Sequence, residues 1–375
     1  MDVGVFGELL NIGSKLTNPY IEEWKREGKK VLGFICSYAP EEVLQAAGVL
    51  PYRIKALEST ETTKADVYLY KYHCTFCRHF LNLVISGAYD FLDGVVFMNP
   101  CDTIRRVYEI WEKIRRPAFM GFVTVPHVIN DHGFKFYLEE LQYLKRELEV
   151  FLRRQILDKD LENAVHTYNE MRELLEKLYE LRSEEKPKIR GSEAHKIVVA
   201  GSSMPKEKYI ELLKQAISEI EKRPGISEYR ARVMVAGSIG DRPDLIEVIE
   251  ELGGVVVTDA LCTGTRWFMD KVKEIGDPLE NIARRYYEHN PCPRMIGEYE
   301  RKRKIIIDLA KKADVDGVVF QRLSFCDYHA VDSVLLARDL EEEGIPAIVL
   351  EREYLLTDIG RFKTRIQAFL EIIER

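Results

Sequence analysis

One phrase occurs twice in this chain. Asp93-Gly94-Val95-Val96-Phe97 runs into Met98-Asn99-Pro100-Cys101-Asp102. Asp316-Gly317-Val318-Val319-Phe320 runs into Gln321-Arg322-Leu323-Ser324-Phe325-Cys326-Asp327. Each copy reads as a short apolar strand followed by a polar turn that carries Cys-Asp. An apolar run without polar alternation suits a parallel strand covered on both faces. The cysteine falls just past the strand's carboxyl end, where open α/β sheets bind ligands.

The same order of elements recurs around each copy. Val31–Cys36 predicts a strand that ends at a cysteine, and Arg232–Gly237 is its counterpart. A helix begins after Pro40-Glu41-Glu42 and stops at Gly48; Leu245–Leu252 stops at Gly253-Gly254. Val49–Ile54 is a weaker strand that Pro51 assigns to a sheet edge. Val255–Thr258 leads to Cys262. Ala118–Val125 and Ile345–Leu350 close the two sets. Met1–Arg26 reads as helical with a break at Pro19, and Tyr68–Gly87 as a helix. Strand alternating with helix predicts parallel sheets with helices on both faces. The matched halves predict two similar α/β domains of about four strands each, by duplication. The first spans residues 1–132 and the second 229–375. Residues 133–228 form a helical region, because Leu141, Leu144, Leu148, Phe151, Leu152 and Ile156 keep a three-four spacing, as do Tyr168, Met171, Leu174, Leu175, Leu178 and Leu181.

The chain has 375 residues, 46% apolar and 31% charged, which is enough for two cored domains. Its net charge of -7 argues against a general nucleic-acid binder. Met1–Leu10 lacks a basic start followed by an apolar core, and no apolar run approaches the ~20 residues that span a membrane. A cytoplasmic protein without a membrane segment is expected. Seven cysteines in such a chain fit thiolate ligands better than a disulfide framework, and the number is odd. There is no G-x₄-G-K-[ST] loop, and Gly237-Ser-Ile-Gly240 is too short for a dinucleotide fingerprint. Any ATP chemistry is therefore expected of a partner.

Cys36, Cys101, Cys262 and Cys326 each lie at or beyond a strand's carboxyl end. Cys74 and Cys77 precede the third strand of the first domain, and Cys292 lies in the matching insertion of the second. If the sheets face each other, all seven point into one cleft. The competing reading is that cysteine is simply a small buried apolar residue. Thiolates in a cleft select zinc, copper(I) or iron–sulfur clusters. Structural zinc usually shows paired C-x₂-C units. Only Cys74-Thr75-Phe76-Cys77 is of that form, so widely spaced single cysteines fit a cluster held between domains. His73, His79, His289 and His329 lie near cysteines and read as hydrogen-bond partners or surface groups, with ligation the alternative. Asp102 and Asp327 read as first-turn carboxylates. Ser37 and Glu41, beside Cys36, are candidates for substrate contact or proton transfer, with helix capping the alternative. Arg105, Arg106 and Arg294 would meet an anionic partner or form surface ion pairs.

Several segments resemble the 2-hydroxyacyl-CoA dehydratase family, the D-component type of 2-hydroxyglutaryl-CoA dehydratase. They are Gly33-Phe-Ile-Cys-Ser-Tyr-Ala-Pro-Glu-Glu42 with Ala46-Ala-Gly-Val-Leu-Pro-Tyr-Arg53, and Phe91–Asp102 with Arg105, Arg106 and Tyr108. Tyr168-Asn-Glu-Met-Arg-Glu-Leu-Leu175, Leu178–Arg182, Gly191-Ser-Glu193, Asp259-Ala-Leu-Cys-Thr-Gly-Thr-Arg266 and the Cys326 turn continue the match. The resemblance covers nearly the whole chain in order.

It implies an oxygen-sensitive iron–sulfur protein with two flavodoxin-like (Rossmann-like) domains, four-stranded parallel sheets, a helical region and a cluster in the cleft. A separate activator ATPase would supply one low-potential electron. In the dehydratases, three cysteines leave an iron open for the thioester carbonyl, and water leaves through a ketyl radical. Cys101, Cys326 and Cys77 or Cys74 would be such a triad. The extra Cys36, Cys262 and Cys292 resemble the family's double-cubane branch, a homodimer that reduces small molecules at an 8Fe–9S cluster with three cysteines on each cubane. The six expected ligands are Cys36, Cys77, Cys101, Cys262, Cys292 and Cys326. Their division between cubanes stays open. The alternatives are a 4Fe–4S dehydratase subunit with a different partner protein and an acyl-CoA substrate, or a thiolate-zinc or electron-carrier protein.

Overall fold

The computed structural model describes residues 4–289 and 292–375. The first three residues of the helix expected over Met1–Arg26, and Asn290-Pro291 of the turn before Cys292, lie outside the described residues.

The first half opens with α1 (Gly4–Ile12) and α2 (Pro19–Arg26). Pro19 is the first residue of α2 rather than a kink within one helix, and Asn18 caps it. Then come β1 (Val31–Phe34), α3 (Glu41–Ala46), β2 (Leu50–Arg53), α4 (Thr75–Ser86), β3 (Gly94–Met98), α5 (Asp102–Arg115) and β4 (Phe119–Val123). Four helices follow: α6 (Asp131–Leu152), α7 (Asp158–Ser183), α8 (Gly191–Gly201) and α9 (Lys206–Glu221). The second half runs β5 (Ala231–Gly237), α10 (Asp244–Glu251), β6 (Gly254–Ala260), α11 (Thr265–Phe268), α12 (Pro278–Glu288) and α13 (Tyr299–Lys312). It ends with β7 (Gly317–Leu323), α14 (Asp327–Glu342), β8 (Ala347–Arg352) and α15 (Ile359–Ile373).

The strands form two four-stranded sheets, β2-β1-β3-β4 and β6-β5-β7-β8, parallel throughout. The identical strand order is the structural form of the internal match read in the sequence. Pro51 lies in β2, an edge strand, where its missing N–H breaks no ladder. The repeated Asp-Gly has a job in each half. Asp93 accepts from the Val31 N–H at 2.8 Å, and Asp316 accepts from the Arg232 N–H at 2.7 Å. Each carboxylate thus ties the start of its own strand to the neighbouring one.

Two expectations need correction. The helix expected over Tyr68–Gly87 begins only at Thr75, and Tyr68, Tyr70 and Tyr72 stand exposed before it. Those tyrosines alternate by two and give no helical face to bury. Strand β7 does not stop at Phe320 but runs on through Gln321 and Arg322 to Leu323. There the polar residues pair with Leu350 and Glu351 of β8, and Arg322 bonds the Glu351 carboxylate. Among the described residues no helix is long and apolar enough to cross a membrane.

Candidate metal centre

The carboxyl ends of both sheets carry the cysteines. Cys36 follows β1, Cys101 follows β3, Cys262 follows β6 and Cys326 follows β7. All seven thiols are free, and only Cys77 is fully buried. They fall into two groups. Cys74, Cys77, Cys101 and Cys326 influence one another: Cys77 is in hydrogen-bond contact with Cys101 and Cys74, and Cys326 feels Cys74 and Cys101. Cys36, Cys262 and Cys292 form the second set. The Tyr328 phenol, in the first turn of α14, feels both Cys101 and Cys292, so the two groups border one another.

The first group is built from helix starts. Cys74, Cys101 and Cys326 occupy the N-cap positions of α4, α5 and α14. A sulfur at such a position lies at the positive end of its helix, where a thiolate is favoured. Cys101 accepts from the Ile104 and Thr103 N–H groups, and Cys326 from the His329 N–H and the Ser238 hydroxyl. Cys77 lies a turn further into α4, buried in the core beneath. The start of α4 is pinned from the other half, because the Thr75 hydroxyl accepts from the Tyr354 N–H at 2.9 Å. Ser238 is held in place by Gly237, which has a φ of +122° and packs so closely on the Gln321 carbonyl that no Cβ would fit.

The second group draws on three separate segments. Cys36 has a φ of +88°, a conformation uncommon for any residue but glycine. Its turn is fixed downstream by two fully buried acids on α3. Glu41 accepts from Trp267 Nε1 at 2.5 Å and the Tyr168 hydroxyl at 3.2 Å, and lies 3.9 Å from Lys206 Nζ. Glu42 pairs with Arg172 at 2.5 Å and accepts from Tyr286 at 2.7 Å. Burial raises the Glu41 pKa despite Lys206; at Glu42 burial acts the same way, but Arg172 and Arg285 outweigh it and hold the carboxyl down. The Cys262 turn hangs on Asp259, which accepts from the Leu261 and Thr265 N–H groups at 3.3 and 2.9 Å and pairs with Arg182 at 2.8 Å. Cys292 belongs to the second half, yet its loop is tied to the first. Arg294 donates to the carbonyls of Val125 at 2.7 Å and Pro126 at 3.2 Å.

Ser37 sits at this junction, half-buried. Its hydroxyl donates to the Cys262 carbonyl at 3.1 Å and accepts from Arg53 at 3.1 Å. Glu41 lies behind it, with both carboxylate oxygens engaged by α3's neighbours. Asp102 is exposed in the first turn of α5 and pairs with Arg106. His79 is buried against the Ser59 hydroxyl at 2.8 Å, and His289 against the Tyr286 carbonyl at 3.0 Å. His73 meets the Thr103 hydroxyl at 3.2 Å.

Burial and neighbouring thiols push Cys36 and Cys326 up to about 12. Crowded, desolvated thiols of this kind ionise only when a positive centre joins them. Among the described residues no three His, Cys, Asp or Glu side chains converge tightly enough for a single metal ion. An iron–sulfur cluster places its irons at separate corners, so its thiolates surround a box rather than a point. The donor set fits that group: soft sulfur ligands brought together from both halves, with N–H groups donated to Cys36, Cys101, Cys262, Cys292 and Cys326.

Sequence reasoning missed Lys206 and Tyr328, and read Arg53 and Arg266 only as parts of motifs. Arg266 is buried and donates to Cys262 Sγ at 3.0 Å.

Three relatives share this architecture's sequence over most of their length. Lactoyl-CoA dehydratase subunit beta of Anaerotignum propionicum is 26% identical over 94% of both chains. A benzoyl-CoA reductase subunit from Thauera aromatica is 28% identical over 87% of this chain and 86% of its own. (R)-2-hydroxyglutaryl-CoA dehydratase subunit beta of Acidaminococcus fermentans is 23% identical over 94% of both. Residues 36–373 match the model of the 2-hydroxyglutaryl-CoA dehydratase D-component family, and the chain belongs to that family of enzyme subunits.

Proposed function

We propose that the chain is an iron–sulfur enzyme whose cysteines hold a double-cubane, 8Fe–9S-type cluster in the cleft between two flavodoxin-like domains. Cys36, Cys262 and Cys292 would ligate one cubane. Cys74, Cys101 and Cys326 would ligate the other, with Cys77 behind them in the core. The observation that carries this reading is the division of the sulfurs into two adjoining groups, each able to supply three thiolates. Cys74 is preferred to the Cys77 expected from sequence, because it alone shares the N-cap placement of Cys101 and Cys326.

Bound there, the cluster would supply low-potential electrons to a small molecule. The chain's own residues do the rest. Arg53 holds the Ser37 hydroxyl at the edge of the Cys36 group, where it can bond a substrate oxygen. Glu41 and Glu42 lock α3, and so the Cys36 turn, onto α7 and α12. An ATP-hydrolysing activator protein would deliver the electron, because this sequence has no phosphate-binding loop.

A second reading rests on the relatives' names, which are those of acyl-CoA dehydratase and reductase subunits. In it the Cys74, Cys101 and Cys326 group holds one 4Fe–4S cluster, the substrate is an acyl-CoA, and the enzyme is completed by a second, different polypeptide. Anaerobic purification with an iron and sulfide assay separates the two. About eight irons per chain supports the double cubane and about four the single cluster. A colourless protein with zinc contradicts both.

A further inference from the structure

The two cysteine groups sit in unequal electrostatic surroundings. Two buried guanidiniums border the Cys36, Cys262 and Cys292 group. Arg266 donates from Nη2 to Cys262 Sγ at 3.0 Å and to the Gly237 carbonyl at 2.7 Å. Burial opposes its charge, and the neighbours that offset this are Cys262, Cys292 and Asp332. Arg294, two residues past Cys292, is 2% exposed. Its partners are backbone carbonyls and the Met295 sulfur. The Nε atoms of both arginines are buried and have no hydrogen-bond partner among the described residues. A buried N–H left without an acceptor is costly, so an anionic group beside it would be favoured.

The other group is surrounded differently. Its sulfurs face backbone N–H groups at helix starts, and the charge acting on Cys101 is the Asp102 carboxylate. Exposed aromatic residues border it on the outside. Phe325, next to Cys326, is exposed and packs edge-on against exposed Tyr72 at 5.4 Å.

Reduction adds one negative charge to an iron centre. Fixed positive charge in a poorly solvated site stabilises the reduced state, and a carboxylate opposes it. Resting on the double-cubane reading above, we propose that Arg266 and Arg294 make the Cys36, Cys262 and Cys292 side the electron sink, and that electrons enter through the Cys74, Cys101 and Cys326 side. An external low-potential one-electron donor is oxidised by one electron, and the iron centre at the arginine side is reduced by it. No bond forms or breaks, and the guanidinium charge balances the added electron without a proton.

The test is a potentiometric titration of the anaerobic full-length protein, followed by electron paramagnetic resonance and absorbance. Arg266→Gln and Arg294→Gln should each move the first reduction step to lower potential and leave the second in place, read on the protein fraction that carries its full iron content. Arg266→Lys should restore most of the shift. Asp102→Asn, on an exposed side chain whose ion-pair partner is Arg106 of the same helix, should raise the second step alone. Arginine variants that move neither step, or both equally, overturn the assignment, as does an Asp102→Asn shift in the first step. Wild-type protein with about four irons and one reduction step instead overturns the double-cubane reading itself.

Discussion

Arg172 and Glu42 form an ion pair with both side chains within 1% of complete burial, at 2.5 Å. The pair joins α7 to α3, and α3 begins five residues after Cys36. Removing one partner strands the other charge in the interior. Arg172→Met should therefore destabilise the fold by about 3–5 kcal/mol. Adding Glu42→Gln should recover part of that loss, because the stranded carboxylate is then gone. Urea unfolding of both variants measures it. Equal stability of the single variant and the wild type would remove this pair from the account of how the Cys36 turn is fixed.

The Cys74 and Cys77 pair separates ligand from packing. Cys74→Ser should lower the iron content of anaerobically purified protein, and Cys77→Ser should leave most of it. Cys77→Ser puts a hydroxyl in the apolar core beneath α4, so its effect should appear in thermal stability instead, by about 1–3 kcal/mol. The reverse pattern in the iron assay would return Cys77 to the ligand set.

His195 gives the protein an acid-sensitive step. Burial holds its pKa down to about 4, against 6.5 for an unperturbed ring. As pH falls below 6.5 the unfolded chain takes up a proton that the folded chain refuses until about 4. Its contribution is thus complete above 6.5 and lost progressively between 6.5 and about 4. The loss is on the order of 3 kcal/mol. His79, also held near 4 by burial, acts in the same direction. The urea midpoint should fall between neutral pH and about 5, and His195→Gln should fall less. An identical pH dependence in the variant would rule this residue out as a source.

Much of the fold was legible because its signals are local. The Val-Val-Phe runs of β3 and β7, the stops at Gly48 and Gly253, and Pro51 at an edge all work through neighbouring residues. The start of α4 was not, since the alternation of Tyr68, Tyr70 and Tyr72 argues against a helix there but leaves open that all three stand exposed. The site was half legible. Four strand-end cysteines follow from counting along each sheet. Their division into two groups does not, because Cys36, Cys262 and Cys292 meet only once β1, β6 and the loop after α12 are assembled. The buried charges were hidden for a related reason. Glu41 and Glu42 suit the first turn of a surface helix equally well, and only Arg172, Lys206 and Trp267, 130 or more positions away, turn them into interior anchors.

The central claim is that two sets of thiolates, one from each group, share the iron. Its most direct test is the iron content of Cys262→Ser and Cys101→Ser, each purified without oxygen beside the wild type. The account predicts that either change removes roughly half of about eight irons and leaves the remainder bound. A Cys262→Ser protein with its full iron content, while Cys101→Ser loses all of it, would contradict the account and leave a single cluster on the Cys101 side.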